Sequence, residues 1–198
     1  MFFSDRSQTA GFLGMVGSIL FFVGLLIEYR YGLFPPGSGT LYVFNQIMFL
    51  VAMSGILVML WSMRDVQAGG DGRLARVSLT LFPIGWAVLI LGGIFSLITG
   101  STENLLGLLF PIGALTILLF GPLSGIAVAR HKSWQGWTRF APLLQGVYYL
   151  SVMMILPPIL TGSNEPTFLT ESLWMVTWFL MGLALYLNGE QLGVVEPA

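Results

Sequence analysis

LLGLLFPIGALTILLFGPLSGIAVA, Leu105–Ala129, runs for 25 residues without one charged side chain. An α-helix rises 1.5 Å per residue, so about 20 apolar residues cross the roughly 30 Å of hydrocarbon in a bilayer. The stretch is long enough to do that. Outward from it lie five more of the same kind: Ala10–Ile27, Leu41–Met63, Val77–Ile98, Phe140–Leu160 and Phe168–Leu187. The fold class expected is therefore all-α, a polytopic membrane protein built as a six-transmembrane-helix bundle. The connections between stretches are short, so residues 1–198 are expected to form a single transmembrane helical domain.

Composition narrows the chemistry. The chain is 56% hydrophobic and only 9% charged, too little charge to cover a soluble domain. A net charge of −1 argues against nucleic acid as a partner. With no cysteine there is no disulfide, thiolate nucleophile or thiolate-zinc site. The lone His131 rules out a bis-histidine haem within the chain. No cofactor and no metal are expected. The apolar run after Met1–Thr9 is too long for a signal peptide and has no small-x-small cleavage site, so it is expected to be retained as helix one.

The basic residues set the expected orientation. Arg6 precedes helix one, Arg64, Arg73 and Arg76 lie between helices two and three, and Arg130, Lys132 and Arg139 between four and five. Only Arg30 falls on the other side. The positive-inside rule then puts both termini in the cytoplasm of a multi-pass protein of the cell inner (plasma) membrane. The opposite loops repeat a pattern, Thr99-Gly100-Ser101-Thr102-Glu103 and Thr161-Gly162-Ser163-Asn164-Glu165. Glycine as C-cap, a polar N-cap and Glu in the following first turn explain it as helix capping.

Small residues carry helix association in lipid. Ala10, Gly14 and Ser18 form one stripe, Gly121, Gly125 and Ala129 a second, and Gly85, Gly92 and Ser96 a third. The word Leu81-Phe82-Pro83-Ile84-Gly85 recurs as Leu109-Phe110-Pro111-Ile112-Gly113. On antiparallel neighbours the copies are expected at opposite membrane faces, as ordinary proline kinks.

One stretch resembles a catalytic signature. Asp71-Gly72-Arg73-Leu74-Ala75-Arg76, with Gly85 further on, is similar to part of the CDP-alcohol phosphatidyltransferase motif. That family also has six helices and carries its motif at the cytoplasmic end of helix two. Its pattern needs three further aspartates, and this chain has Ala68, Leu89 and Gly93 there. One carboxylate does not hold the divalent ions such a transfer uses. Ser124 lies between small residues in Gly121–Gly125, but His131 sits at the end of the same helix, so no nucleophile–base pair is expected. No Asp, Glu, Lys, Arg or His occupies the middle third of any stretch, and no enzyme is expected.

The polar residues that enter the membrane lie near its edges. Glu28 and Arg30 end helix one, Asn45 and Gln46 begin helix two, and Tyr29, Tyr31 and Tyr42 surround them. Together they outline a candidate ligand-facing pocket, with Arg30 turning back towards Glu28. Gln145, beside Tyr148 and Tyr149, is expected to hydrogen-bond between helices. Glu171, Trp174, Trp178 and Met181 recur at helical spacing and give an aromatic face, Trp174 and Trp178 at its centre, along which a quinone, carotenoid or lipid tail would fit. Arg130, Lys132, Trp134, Trp137 and Arg139 mix cations with indoles and are expected to touch anionic lipid head groups. The function expected first is an accessory or scaffold subunit of a membrane complex, with the lipid bilayer and other membrane subunits or a homo-oligomer as partners. The alternative is a small carrier or binder of an uncharged or lipophilic ligand.

Overall fold

The computed structural model describes residues 2–33, 37–99, 105–131, 133–155, 159 and 167–192. Among them every regular element is helical: α1 (Phe2–Tyr31), α2 (Thr40–Asp65), α3 (Arg73–Thr99), α4 (Leu109–Arg130), α5 (Ala141–Tyr148) and α6 (Phe168–Leu192). A 3-10 turn, Leu105–Leu108, leads into α4, another, Thr138–Phe140, leads into α5, and a π-helix, Tyr149–Ile155, continues α5. In lipid the backbone has no water to bond, so a helix that satisfies its own N–H and C=O groups is the structure an apolar chain adopts. Five helices are long and apolar enough to cross a membrane: α1, α2, α3, α4 and α6. The molecule is an all-helical bundle with five candidate membrane-spanning helices among the described residues.

The helices form a closed ring, α1–α2–α3–α4–α5–α6, with α6 returning against α1. Glycines set how closely they pack. A Cβ on Gly11 would lie 2.6 Å from the Tyr186 nitrogen and 2.7 Å from the Gly182 carbonyl, so α1 and α6 touch backbone to backbone. Gly17 meets Ala52 and Gly24 meets the Phe49 ring, which fixes the antiparallel register of α1 on α2. Gly146 fits against Pro122, where the kink in α4 needs room. The stripe Ala10–Gly14–Ser18 is only part of the story on α1; Gly11, Gly17 and Gly24 complete it.

Two sequence expectations change here. The repeated words do not end up at opposite membrane faces. Gly85 and Gly113 lie against each other's carbonyls, at 3.2 and 2.9 Å from the added Cβ, so the two copies meet where α3 crosses α4. The repeat is one crossing point seen from both sides. Nor are the fourth and fifth stretches uniform helices. Pro111 has no N–H to return to Gly107, and the chain enters α4 through the 3-10 turn. After Tyr148 the hydrogen bonds widen to π spacing.

Helix α1 ends in a Schellman cap: Gly32 takes φ +64° and the Leu33 N–H bonds the Glu28 carbonyl at 3.0 Å. Helix α2 ends the same way, with Gln67 at φ +51° and the Ala68 N–H bonding the Met63 carbonyl. The loop after α2 then meets the loop after α4, where the Ser133 hydroxyl donates to the Ala68 carbonyl at 3.1 Å. Arg6 and Asp65 share a groove at this end, as do Asp71 and Arg130 in the neighbouring one. We call it the basic end, and the other the Glu28 end.

Candidate functional site

The inside of the ring is aromatic. Trp178 is stacked on Phe82 at 5.9 Å and tilted against Trp86 at 4.7 Å; Trp174 is stacked on Tyr149 at 5.1 Å. Glu171, Trp174, Trp178 and Met181 do share a face of α6. It is no open face: Trp178 and Met181 are fully buried and Trp174 nearly so. The spacing was legible in the sequence, but it points inward.

Three polar groups along this face have no hydrogen-bond partner. They are the indole N–H groups of Trp174 and Trp178 and the Gln145 amide, which is fully buried. Trp86 differs, since its N–H donates to the Met53 carbonyl at 2.9 Å. Gln145 therefore does not make the interhelical bond expected of it. Tyr149 packs on Trp174, and one turn earlier on antiparallel α5 brings Gln145 level with Trp178. An unpaired polar group in an apolar interior costs about 1–3 kcal/mol.

A groove of about 400 Å³ lies among α1, α2, α3 and α4. Gln46, Leu50, Leu89, Ser96 and Phe110 line it, with Phe21 and Phe49 as its floor. The Phe21 ring is 6.5 Å from that of Trp174. Phe21 thus borders both the groove and the Trp174 ring.

The pocket expected from Glu28, Arg30, Asn45 and Gln46 is divided. Arg30 is exposed and points away from Glu28, because two residues along a helix lie on opposite sides. Gln46 faces the groove. Glu28 and Asn45 are buried, and one turn on from the Gly24–Phe49 contact they stand opposite each other. Glu171 lies close enough to Glu28 for charge repulsion, and it accepts a hydrogen bond from Tyr29. Sequence reasoning had put Glu171 with the aromatic face alone; only the α1–α6 packing reveals its second neighbour.

At the basic end, Arg130 and Trp137 are exposed. Trp134 is a correction, since it is only 1% exposed and packs under the loops. Arg139 is half-buried with its guanidinium 4.5 Å over the Phe140 ring. Lys132, Glu103 and Glu165 lie outside the described residues. The Ser124 hydroxyl donates to the Gly121 carbonyl, and His131 Nδ1 pairs with Ser133 Oγ, so the two do not meet. Among the described residues no three His, Cys, Asp or Glu side chains are grouped to hold a metal.

Comparison with protein-family models, with curated proteins and with solved structures finds no match.

Proposed function

We propose that this protein is a non-enzymatic binder or carrier of a small uncharged, lipophilic molecule, held inside the helix ring. The observation that carries this reading is the set of unpaired buried groups on these helices, the indole N–H groups of Trp174 and Trp178 and the Gln145 amide, whose nitrogen and oxygen both lack partners. Two indole N–H groups donate and do not accept. Their complement is a molecule with acceptor oxygens and no charge, such as a quinone, ketone or ester. It enters from the lipid through the groove among α1, α2, α3 and α4. Six crossings of the inner (plasma) membrane, with both termini cytoplasmic, go with this reading, supported by the gathering of arginines at the end of the bundle where the start of α1 meets the last turns of α6.

Tryptophan fluorescence tests it. Titrating the detergent-purified protein with a short-chain quinone and with a fatty-acid methyl ester should give saturable quenching or a saturable blue shift. The same titration on Trp178→Phe should need about ten-fold more ligand, the equivalent of one lost hydrogen bond. Linear, non-saturating change with both probes would reject an internal acceptor site.

A second reading, an accessory or scaffold subunit of a membrane complex, has its own support. A groove of about 710 Å³ on α1, α2 and α3, lined by Ala10, Leu57, Val58, Trp61 and Ala87, presents an apolar surface to a partner. Purification in mild detergent separates the two: a stoichiometric companion favours the scaffold, and a monodisperse monomer favours the carrier.

A further inference from the structure

The Glu28 end holds a second arrangement that the core ligand does not use. Glu28 and Glu171 are two carboxylates brought together from α1 and α6. Asn45 stands opposite Glu28 from α2, fully buried, with neither its amide nitrogen nor its amide oxygen in a hydrogen bond. Phe49, one turn further along α2, points into α1, and Asn45 shares its face. The unpaired amide is therefore aimed at the carboxylates.

Charge decides what belongs between them. The chain has eight Lys and Arg residues, and among the described ones Arg30 alone lies at this end. It is exposed and on the far side of α1 from Glu28. Among the described residues the one ion pair joins Arg64 to Asp65, at the basic end. Buried carboxylates are ordinarily paired, because desolvating an unpaired charge is costly. Among the described residues no cation performs that role here.

The walls decide which kind of cation. The Tyr29 and Phe168 rings lie 5.2 Å apart and Phe22 is 6.3 Å from Phe168. Phe168, Glu171 and Trp174 follow one another at three-residue spacing on a single face of α6, so rings flank the carboxylate on both sides. Two carboxylates, one amide oxygen and a phenol already engaged with Glu171 fall short of the six to eight oxygens a calcium ion takes. Aromatic faces beside a carboxylate suit an ammonium group carried on carbon.

We propose that Glu28, Glu171 and Asn45 form a binding site for a small organic ammonium ion, entered from the Glu28 end. The ammonium hydrogens donate to Glu28 and to the Asn45 oxygen, Glu171 stays with Tyr29, and the alkyl portion lies against the rings. The site does not depend on what occupies the core.

Thermal unfolding in detergent tests this with butylammonium chloride, 1-butanol, potassium chloride and calcium chloride at matched concentration. Butylammonium should raise the midpoint in a saturable way, while the neutral alcohol and potassium should not. Glu28→Gln, close in size and shape, should weaken the butylammonium effect at least about ten-fold, and Glu171→Gln should weaken it as well. An equal response to potassium, a response to calcium alone, no response to any cation, or full butylammonium binding by folded Glu28→Gln would each overturn the proposal. If the variants do not fold, the contrast between butylammonium and butanol on the unaltered protein still decides it.

Discussion

Gln145 shows what one side chain reports about a core. Its amide is enclosed on α5 with both ends unpaired. Such a group is retained against its own cost, because removing it and leaving an apolar side chain of similar size relieves the desolvation. Gln145→Leu is therefore expected to raise the stability of the empty protein by about 1–3 kcal/mol. Thermal unfolding in detergent measures that gain. The same substitution should remove the saturable response to the quinone or ester probe. A more stable protein with unaltered probe binding would separate Gln145 from the site. In sequence, Gln145 stood out as a polar residue entering an apolar stretch. Its lack of a partner was not legible, since that depends on which side chains five other helices present to it.

At the scale of elements, the glycine contacts dictate which helices lie closest. Gly11 faces the backbone of α6 with no room for a side chain. Gly11→Leu should push α1 from α6 and lower stability by about 1–3 kcal/mol or more. Gly72→Ala is the matched control, because nothing lies within 4 Å of the added methyl; its change should stay within about 0.5 kcal/mol. Unfolding midpoints of both variants in one detergent check the contrast. The stripes on α1, α3 and α4 were readable as four-residue and seven-residue spacings. Which neighbour each would meet was not readable, and the apposition of Gly85 with Gly113 ran against the simple expectation. The π segment after Tyr148 was likewise hidden, because an apolar run looks the same whether its hydrogen bonds skip three residues or four.

For the whole molecule, the ring closes α6 onto α1, and this closure builds both candidate sites. Glu28 and Glu171 are far apart in the chain, as are Trp86 and Trp178, and neither pair exists until the last helix returns. The absence of cysteine makes the orientation simple to map. Single Arg30→Cys and Arg130→Cys variants, both at exposed positions, should react from opposite sides of intact cells. A membrane-impermeant maleimide should label the first directly and the second only after permeabilisation. Labelling of both from one side would reject an arrangement with both termini cytoplasmic.

By itself the sequence determined the solvent. Its long uncharged runs have the length and hydropathy that suit lipid, its few ionisable groups are kept to the helix ends, and its small residues mark faces for packing. These are properties of local composition and period, which no neighbour alters. The tertiary structure alone decided which polar groups became partners, which were sealed in without one, and which carboxylates came to share a space. Burial and pairing belong to contacts between distant segments, and those come into being only when the ring is closed.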